Sequence, residues 1–362
     1  MKNLLVTLIS DQPAPNIQFI KEKGNVKTDF LFISTKEMEK KGVRKWIMNV
    51  CNISKEKTVI VDNAFSLNEI EEKLSNETYD KYENIYVNVT GGTKIMSMGV
   101  TDFFKKNGKA NIYYLTGQDC WHLFPIEKRW SDRLKDNITL EEYIESYGFR
   151  MEKESMSGIS PDYTKKFFQK FLNFGEKEWS IIGKLRERRN KKAYSIDEID
   201  GLQSFLNSIN FPIIDEIKIN KKEIKYLTGD WFEEHIYHSI REEKIISEGN
   251  IKTGVHLTKE NNKGTKISNE FDVIFLWKTK FYAIECKTSI LSGEKDIVND
   301  TIYKSVALQK NLGLFSNFSI MTLSSKDSKE VKEAHLDRAN DLGIKVFCRE
   351  DILGSNSITQ LL

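Results

Sequence analysis

The sequence predicts an α/β protein built as two lobes with a helical segment between them. Three features carry that expectation. Strand-like and helix-like runs alternate regularly over residues 1–125, a charged helical stretch occupies about 140–210, and mixed helix and strand signals return after Phe211. At 362 residues the chain has room for two separate cores.

In the first lobe, strand-like runs are Leu4–Ser10, Asp29–Thr35, Thr58–Asp62, Ile85–Thr90 and Asn111–Thr116. The apolar run Leu4–Ile9 is too brief for a secretory signal, and Asp11 interrupts it before any small-residue cleavage site, so it reads as a buried first strand. Helix-like segments lie around Asn16–Lys23, Lys36–Val50, Leu67–Ser75 and Thr93–Lys106. Ser66 and Glu69 have capping-box spacing, which marks a helix start. Strands alternating with helices predict parallel strands covered on both faces, a Rossmann-like lobe. Ligands of such sheets sit beyond the carboxyl ends of the strands.

The middle segment holds an aromatic cluster, Phe167, Phe168, Phe171 and Phe174, and a second capping-box match, Ser195 to Glu198. It reads as a helical connector. Its basic run, Lys184 to Lys192, reads first as a solvated helix face, with a nucleic-acid patch as the alternative. The last segment predicts a helix at Gly229–Glu243, then strands, a helix near Asp300–Gly313, a strand at Phe318–Leu323, a helix at Lys329–Leu342 and a strand at Ile344–Cys348.

With 55 basic and 53 acidic side chains, overall charge argues neither for nor against a nucleic-acid partner. The four cysteines include no C-x-x-C pair, which argues against a zinc site or disulfide framework and fits a cytoplasmic protein. No apolar run is long enough to span a membrane.

Two apolar runs, Phe271–Trp277 and Phe281–Lys287, flank the polar Lys278-Thr279-Lys280 and predict a β-hairpin. A two-residue turn at Lys278-Thr279 sets Trp277 opposite Lys280 and, further out, Asp272 opposite Glu285. Directly opposed side chains share a face with Cβ atoms about 4.5–5.5 Å apart. Two carboxylates held so close need compensation, which a divalent cation with oxygen ligands supplies. Lys287 shares the face by strand alternation. It is placed to orient or deprotonate a water, or to offset charge on a phosphate. The alternative is an ordinary cross-strand ion pair such as Glu270 with Lys287. The E-x-K triplet alone decides nothing, because Glu39-Lys-Lys41 and Glu71-Glu-Lys73 match it too. His235, His238 and His256 lack the spacing of a metal motif and read as core or surface residues.

Asp272 with Glu285-Cys-Lys287, set between a leading helix and a helix–strand pair, resembles the PD-(D/E)xK, or restriction-endonuclease-like, family. Phe271 stands where that motif's proline would be. The resemblance implies a metal-dependent nuclease with Asp272, Glu285 and Lys287 as its catalytic core. It also implies Glu233 as a further metal ligand, with Glu234 as its possible substitute, and Tyr303, Lys304 and Gln309 as candidates for phosphate contact.

A second motif ends the fourth strand of the first lobe. Gly91-Gly92-Thr93-Lys94 stands at a strand-to-helix turn, where backbone N–H groups can approach an anion. It is neither a Walker A loop nor G-x-G-x-x-G, and a plain tight turn is the alternative. Asn88 to Lys94, with the loop Ser10 to Asn16, resembles the CARF domains, CRISPR-associated Rossmann folds that bind cyclic oligoadenylates as dimers. The resemblance implies ligand contacts at Ser10, Asp11, Gln12, Asn88, Thr90, Gly91, Gly92, Thr93 and Lys94. Together the two motifs make the chain similar to the Can/Card family of type III CRISPR ancillary nucleases. That implies a CARF sensor at 1–140, a helical connector at 141–215 and a nuclease at 216–362. It further implies a homodimer, manganese or magnesium, and activation by cyclic tetra-adenylate to cleave DNA or RNA. Two rival expectations are a non-enzymatic regulator that binds nucleic acid through the connector, and a ring nuclease that degrades its own ligand.

Overall fold

The computed structural model describes residues 2–126, 130–134, 138–189, 193–260, 264–289, 291–292, 295–309, 311–313, 316–328 and 331–362. The first sheet contains β1 (Lys2–Leu8), β2 (Thr28–Thr35), β3 (Lys57–Val61), β4 (Tyr82–Asn88), β5 (Ala110–Thr116), β6 (Asp119–Phe124) and β7 (Trp130–Arg133), in the order β3-β2-β1-β4-β5-β6-β7. Strands β1 to β5 are parallel, while β6 and β7 add an antiparallel edge that the alternation did not announce. Helices α1 (Ala14–Lys23), α2 (Lys36–Lys41), α3 (Val43–Val50), α4 (Leu67–Ser75) and α5 (Lys94–Lys105) make the crossovers. β1 is buried from Leu4 to Leu8, as a strand covered on both faces must be. The order reverses beside it, since β1 pairs with both β2 and β4. The loops leaving β1 and β4 therefore flank the crevice where such sheets take ligands.

The chain then runs through α6 (Leu140–Ser146), β8 (Arg150–Glu154), α7 (Pro161–Phe171), α8 (Glu176–Glu187), β9 (Ala193–Ser195), α9 (Leu202–Ile209) and β10 (Lys218–Asn220). The stretch expected to be helical thus also holds strands. β9 pairs with β10, and β8 pairs with a strand of the second sheet. β8, Arg-Met-Glu-Lys-Glu, is too polar to signal a strand, so its conformation comes from the edge it completes. Residues 190–192 of the basic run lie outside the described residues.

The last segment holds α10 (Lys221–Lys225), α11 (Trp231–Glu242), β11 (Ile251–Glu260), β12 (Lys266–Trp277), β13 (Lys280–Lys287), α12 (Ile297–Gln309), β14 (Ser316–Thr322), α13 (Glu333–Asp341) and β15 (Lys345–Phe347). Its sheet has the order β15-β14-β13-β12-β11-β8. A wide π-type turn at Tyr226–Asp230 separates α10 from α11, so the helix expected from Gly229 starts at Trp231. Residues 310 and 329–330, within the helices expected at 300–313 and 329–342, lie outside the described residues.

One buried cluster is shared by both sheets, beside others that belong to each alone. Leu5, Ile9 and Phe19 of the first lobe belong to the same buried cluster as Tyr143, Phe281 and Phe318. Tyr143 of α6 stacks on Phe281 at 5.6 Å and donates its hydroxyl hydrogen to the Leu312 carbonyl at 2.8 Å. The cysteines form no disulfide. No helix among the described residues is long and apolar enough to cross a membrane.

Candidate functional site

The β12–β13 hairpin sets the first candidate site. Lys278 and Thr279 both have positive φ, 50° and 62°, the pattern of a two-residue type I′ turn whose twist suits the flanking strands. The ladder runs from Trp277–Lys280 through Leu276–Phe281 to Val273–Ile284, the register expected from the apolar pattern. It ends one rung short of Asp272 and Glu285. There the Asp272 carboxylate itself accepts the Cys286 backbone N–H at 2.7 Å, while β13 continues along β14 on its other side.

Lys287 Nζ lies 2.7 Å from Glu285 Oε1 and 3.6 Å from Asp272 Oδ2. Lys304 of α12 reaches Glu285 Oε2 at 3.4 Å. Burial, with the Glu285 charge behind it, pushes the Asp272 carboxyl up from 3.8 to about 6. Burial also acts to raise Glu285, but Lys287 and Lys304 outweigh it and hold that carboxyl below its usual range. Glu233 on α11 sits well above its usual range because of burial and then the charges of Asp272 and Asp230. Desolvation opposes the charge on Lys287, yet Asp272 and Glu285 prevail and keep it protonated.

The structure therefore brings Asp272, Glu285, Lys287 and Glu233 into one electrostatic unit. Three carboxylates with two lysines fit a divalent cation chemically, since oxygen donors of high charge suit hard ions. Among the described residues no group of three or more His, Cys, Asp or Glu side chains is arranged to hold an ion as it stands.

The neighbouring residues sort differently. Glu234 is buried and accepts the Ser157 backbone N–H at 2.5 Å and its hydroxyl at 2.8 Å, so it braces a loop and is no substitute for Glu233. Glu270 faces His256, and the ion pair with Lys287 weighed from the sequence is not made. His235 stacks on Phe168 at 4.1 Å. Gln309 donates to the Ser316 carbonyl at 3.0 Å, whereas Tyr303 is exposed. In the basic run, Arg186 donates to Thr288 at 3.1 Å, Arg188 lies over the Tyr194 ring and Arg189 ion-pairs with Asp230. Arg186 thus braces the end of β13 and Arg189 the start of α11, a role that only the folded structure reveals.

The second candidate site is a cavity of about 2010 Å³ at the ends of β1 and β4. Ser10, Asp11 and Gln12 line it from one loop, and Thr90, Gly91, Gly92 and Thr93 from the other. Gly91 presses against β1 so closely that a Cβ there would collide with the Leu8 carbonyl. The first turn of α5 follows at once, and the leading N–H groups of a helix lack intrahelical partners, a favourable seat for phosphate. Two expected residues do not line the cavity. Asn88 is fully buried, donating to Thr7 and Asn16 and accepting from Thr90, so it shapes the loop from behind. Lys94 is exposed on α5 outside the lining. The Thr90 hydroxyl accepts the Leu115 N–H at 2.8 Å, and that of Thr93 caps α5. The cavity also has walls from the second lobe, including Thr279, Lys280, Gln309 and Asn311. Sequence reasoning took Lys278 to Lys280 only as a turn.

Comparison with known proteins agrees with both halves. Residues 4–143 match the family model described as Card1 CARF domain, and residues 220–356 match Card1-like, endonuclease domain. No curated protein matches the chain. Among solved structures, protein VC1899 from Vibrio cholerae is similar with a TM-score of 0.76 and 17% identity, over 97% of this chain and 95% of that one. Can2 from Sulfobacillus thermosulfidooxidans, in complex with cyclic tetra-adenylate, is similar with a TM-score of 0.72 and 20% identity, over 99% and 97%. A type III CRISPR defence DNA nuclease activated by cyclic oligoadenylate reaches a TM-score of 0.54 at 14% identity, over 94% of this chain and 52% of that one. With a matched sensor domain ahead of a matched nuclease domain, the chain belongs to the Card1 family, a CARF domain followed by a Card1-like endonuclease domain.

Proposed function

We propose that the protein is a metal-dependent nuclease of type III CRISPR defence, switched on when cyclic tetra-adenylate binds its CARF domain. The observation that carries this reading is the meeting of Asp272, Glu285 and Lys287 where the β12–β13 ladder opens, with Glu233 of α11 feeling the Asp272 charge. The cyclic tetra-adenylate held by the similar Can2 supports the choice of ligand. A homodimer suits it too, because a two-fold axis presents the same patch twice to a symmetric ring.

Asp272, Glu285 and Glu233 would hold manganese or magnesium. Bound there, the ion supplies an activated water and draws charge from the phosphate. Lys287, whose charged form its carboxylate neighbours favour, serves as a cation that orients the water or holds the phosphate. Lys304 offers a second cation on the same side. A regulator that binds nucleic acid through the basic connector has less support, because Arg186, Arg188 and Arg189 are already engaged.

The test is one cleavage panel on single- and double-stranded DNA and RNA, with manganese or magnesium, with and without cyclic tetra-adenylate. The wild type is expected to cleave at least one substrate only with metal, and faster with the cyclic ligand. Asp272→Ala and Glu285→Ala are expected to lose cleavage while still binding the ligand. Wild-type rates from either variant would remove the assignment. Chromatography of the cyclic nucleotide after the same incubation checks the ring-nuclease alternative.

A further inference from the structure

The hairpin that ends at the carboxylates begins in the sensor cavity. Thr279 and Lys280 line that cavity with Gln12, Thr90 and Gly92. At Gly117, in the β5–β6 turn, a Cβ would lie 3.8 Å from Thr279 Oγ1, so the hairpin tip abuts the first lobe. The I′ turn holds this tip in a defined geometry.

The other lysines around the cavity are committed. Lys41 pairs with Asp11 at 2.9 Å and Glu37 at 2.8 Å, and Lys36 pairs with Asp62 at 2.7 Å. Lys259 donates to the Tyr147 carbonyl at 2.7 Å and lies over the Trp46 ring at 4.5 Å. Lys280 is exposed and has no ion-pair partner among the described residues. A cyclic oligoadenylate carries one negative charge per phosphodiester, and ammonium groups not already neutralised are its natural partners.

We propose that Lys280, a residue of the nuclease lobe, contacts a phosphate of the ligand in the sensor cavity, so that the β12–β13 hairpin is itself part of the sensor. The inference rests on the reading that this cavity takes a cyclic oligoadenylate. Lys280 and Glu285 belong to one strand, about 17 Å apart at the usual rise per residue. A ligand that binds Lys280 more tightly in one setting of the hairpin favours that setting, and the carboxylates travel with it.

Calorimetric titration of the full-length wild type and of Lys280→Ala, Lys280→Glu and Lys280→Arg with cyclic tetra-adenylate tests this. The alanine variant is expected to bind about tenfold more weakly, the glutamate variant more weakly still, and the arginine variant close to the wild type. The ligand concentration for half-maximal cleavage is expected to shift in the same order. Binding by the wild type with an unchanged Kd for Lys280→Ala overturns the proposal alone. Absence of binding by the wild type overturns the functional reading and this inference with it.

Discussion

Asp272 and Glu234 are both buried acids, yet they differ in what holds them. Glu234 is satisfied by the Ser157 N–H and hydroxyl. Replacing it with alanine leaves the Ser157 N–H without its acceptor, and the loss is expected to be about 1–3 kcal/mol, read from thermal unfolding. Glu233→Gln is expected to reduce cleavage without lowering the melting temperature, which separates two adjacent glutamates by role. Asp272 is unfavourably ionised, with a folded value near 6 against an ordinary 3.8. The folded chain therefore holds a proton that the unfolded chain releases across that window. Stability falls as pH rises through it, and the full cost is present above it. Asp272→Asn is expected to stabilise the protein in chelator at pH 7.5 by on the order of 2–3 kcal/mol, with the gain vanishing near pH 4. An equal gain at both pH values would mean that burial of this charge is not the source.

The hairpin was the most legible element in the sequence. Its two apolar runs and the short polar link fixed both the turn and the register that points Asp272 toward Glu285. The opening of the ladder was not legible, because it depends on the Cys286 N–H turning to a side chain. Asn88 shows another limit: it lies inside a recognisable motif, but Thr7 and Asn16 take it out of the cavity, and those contacts are long in sequence. β8 was missed because its partner strand lies about a hundred residues away and its own side chains are mostly charged. The glycine loop yields an element-scale prediction. Gly91→Ala must push the loop off β1, since the new Cβ meets the Leu8 carbonyl. It is expected to abolish ligand binding by calorimetry while leaving the second lobe folded.

At the scale of the whole molecule, the two sheets share a core centred on α6, with Tyr143 stacked on Phe281 and bonded to the Leu312 carbonyl. Calorimetric unfolding is therefore expected to give a single transition. Tyr143→Ala is expected to cost about 3–5 kcal/mol and to lower the melting of both lobes together, whereas two separated transitions would argue against a shared core. β8 adds a consequence for modularity. The nuclease sheet takes its outermost strand from residues 150–154, ahead of the connector helices, and the rest from beyond residue 250. A fragment cut at residue 216 would leave the polar groups along β11 unpaired, and bare strand edges recruit other chains. The two lobes are thus interlaced along the chain, so proteolysis or recombination between them would release a sticky sheet and not a free-standing enzyme.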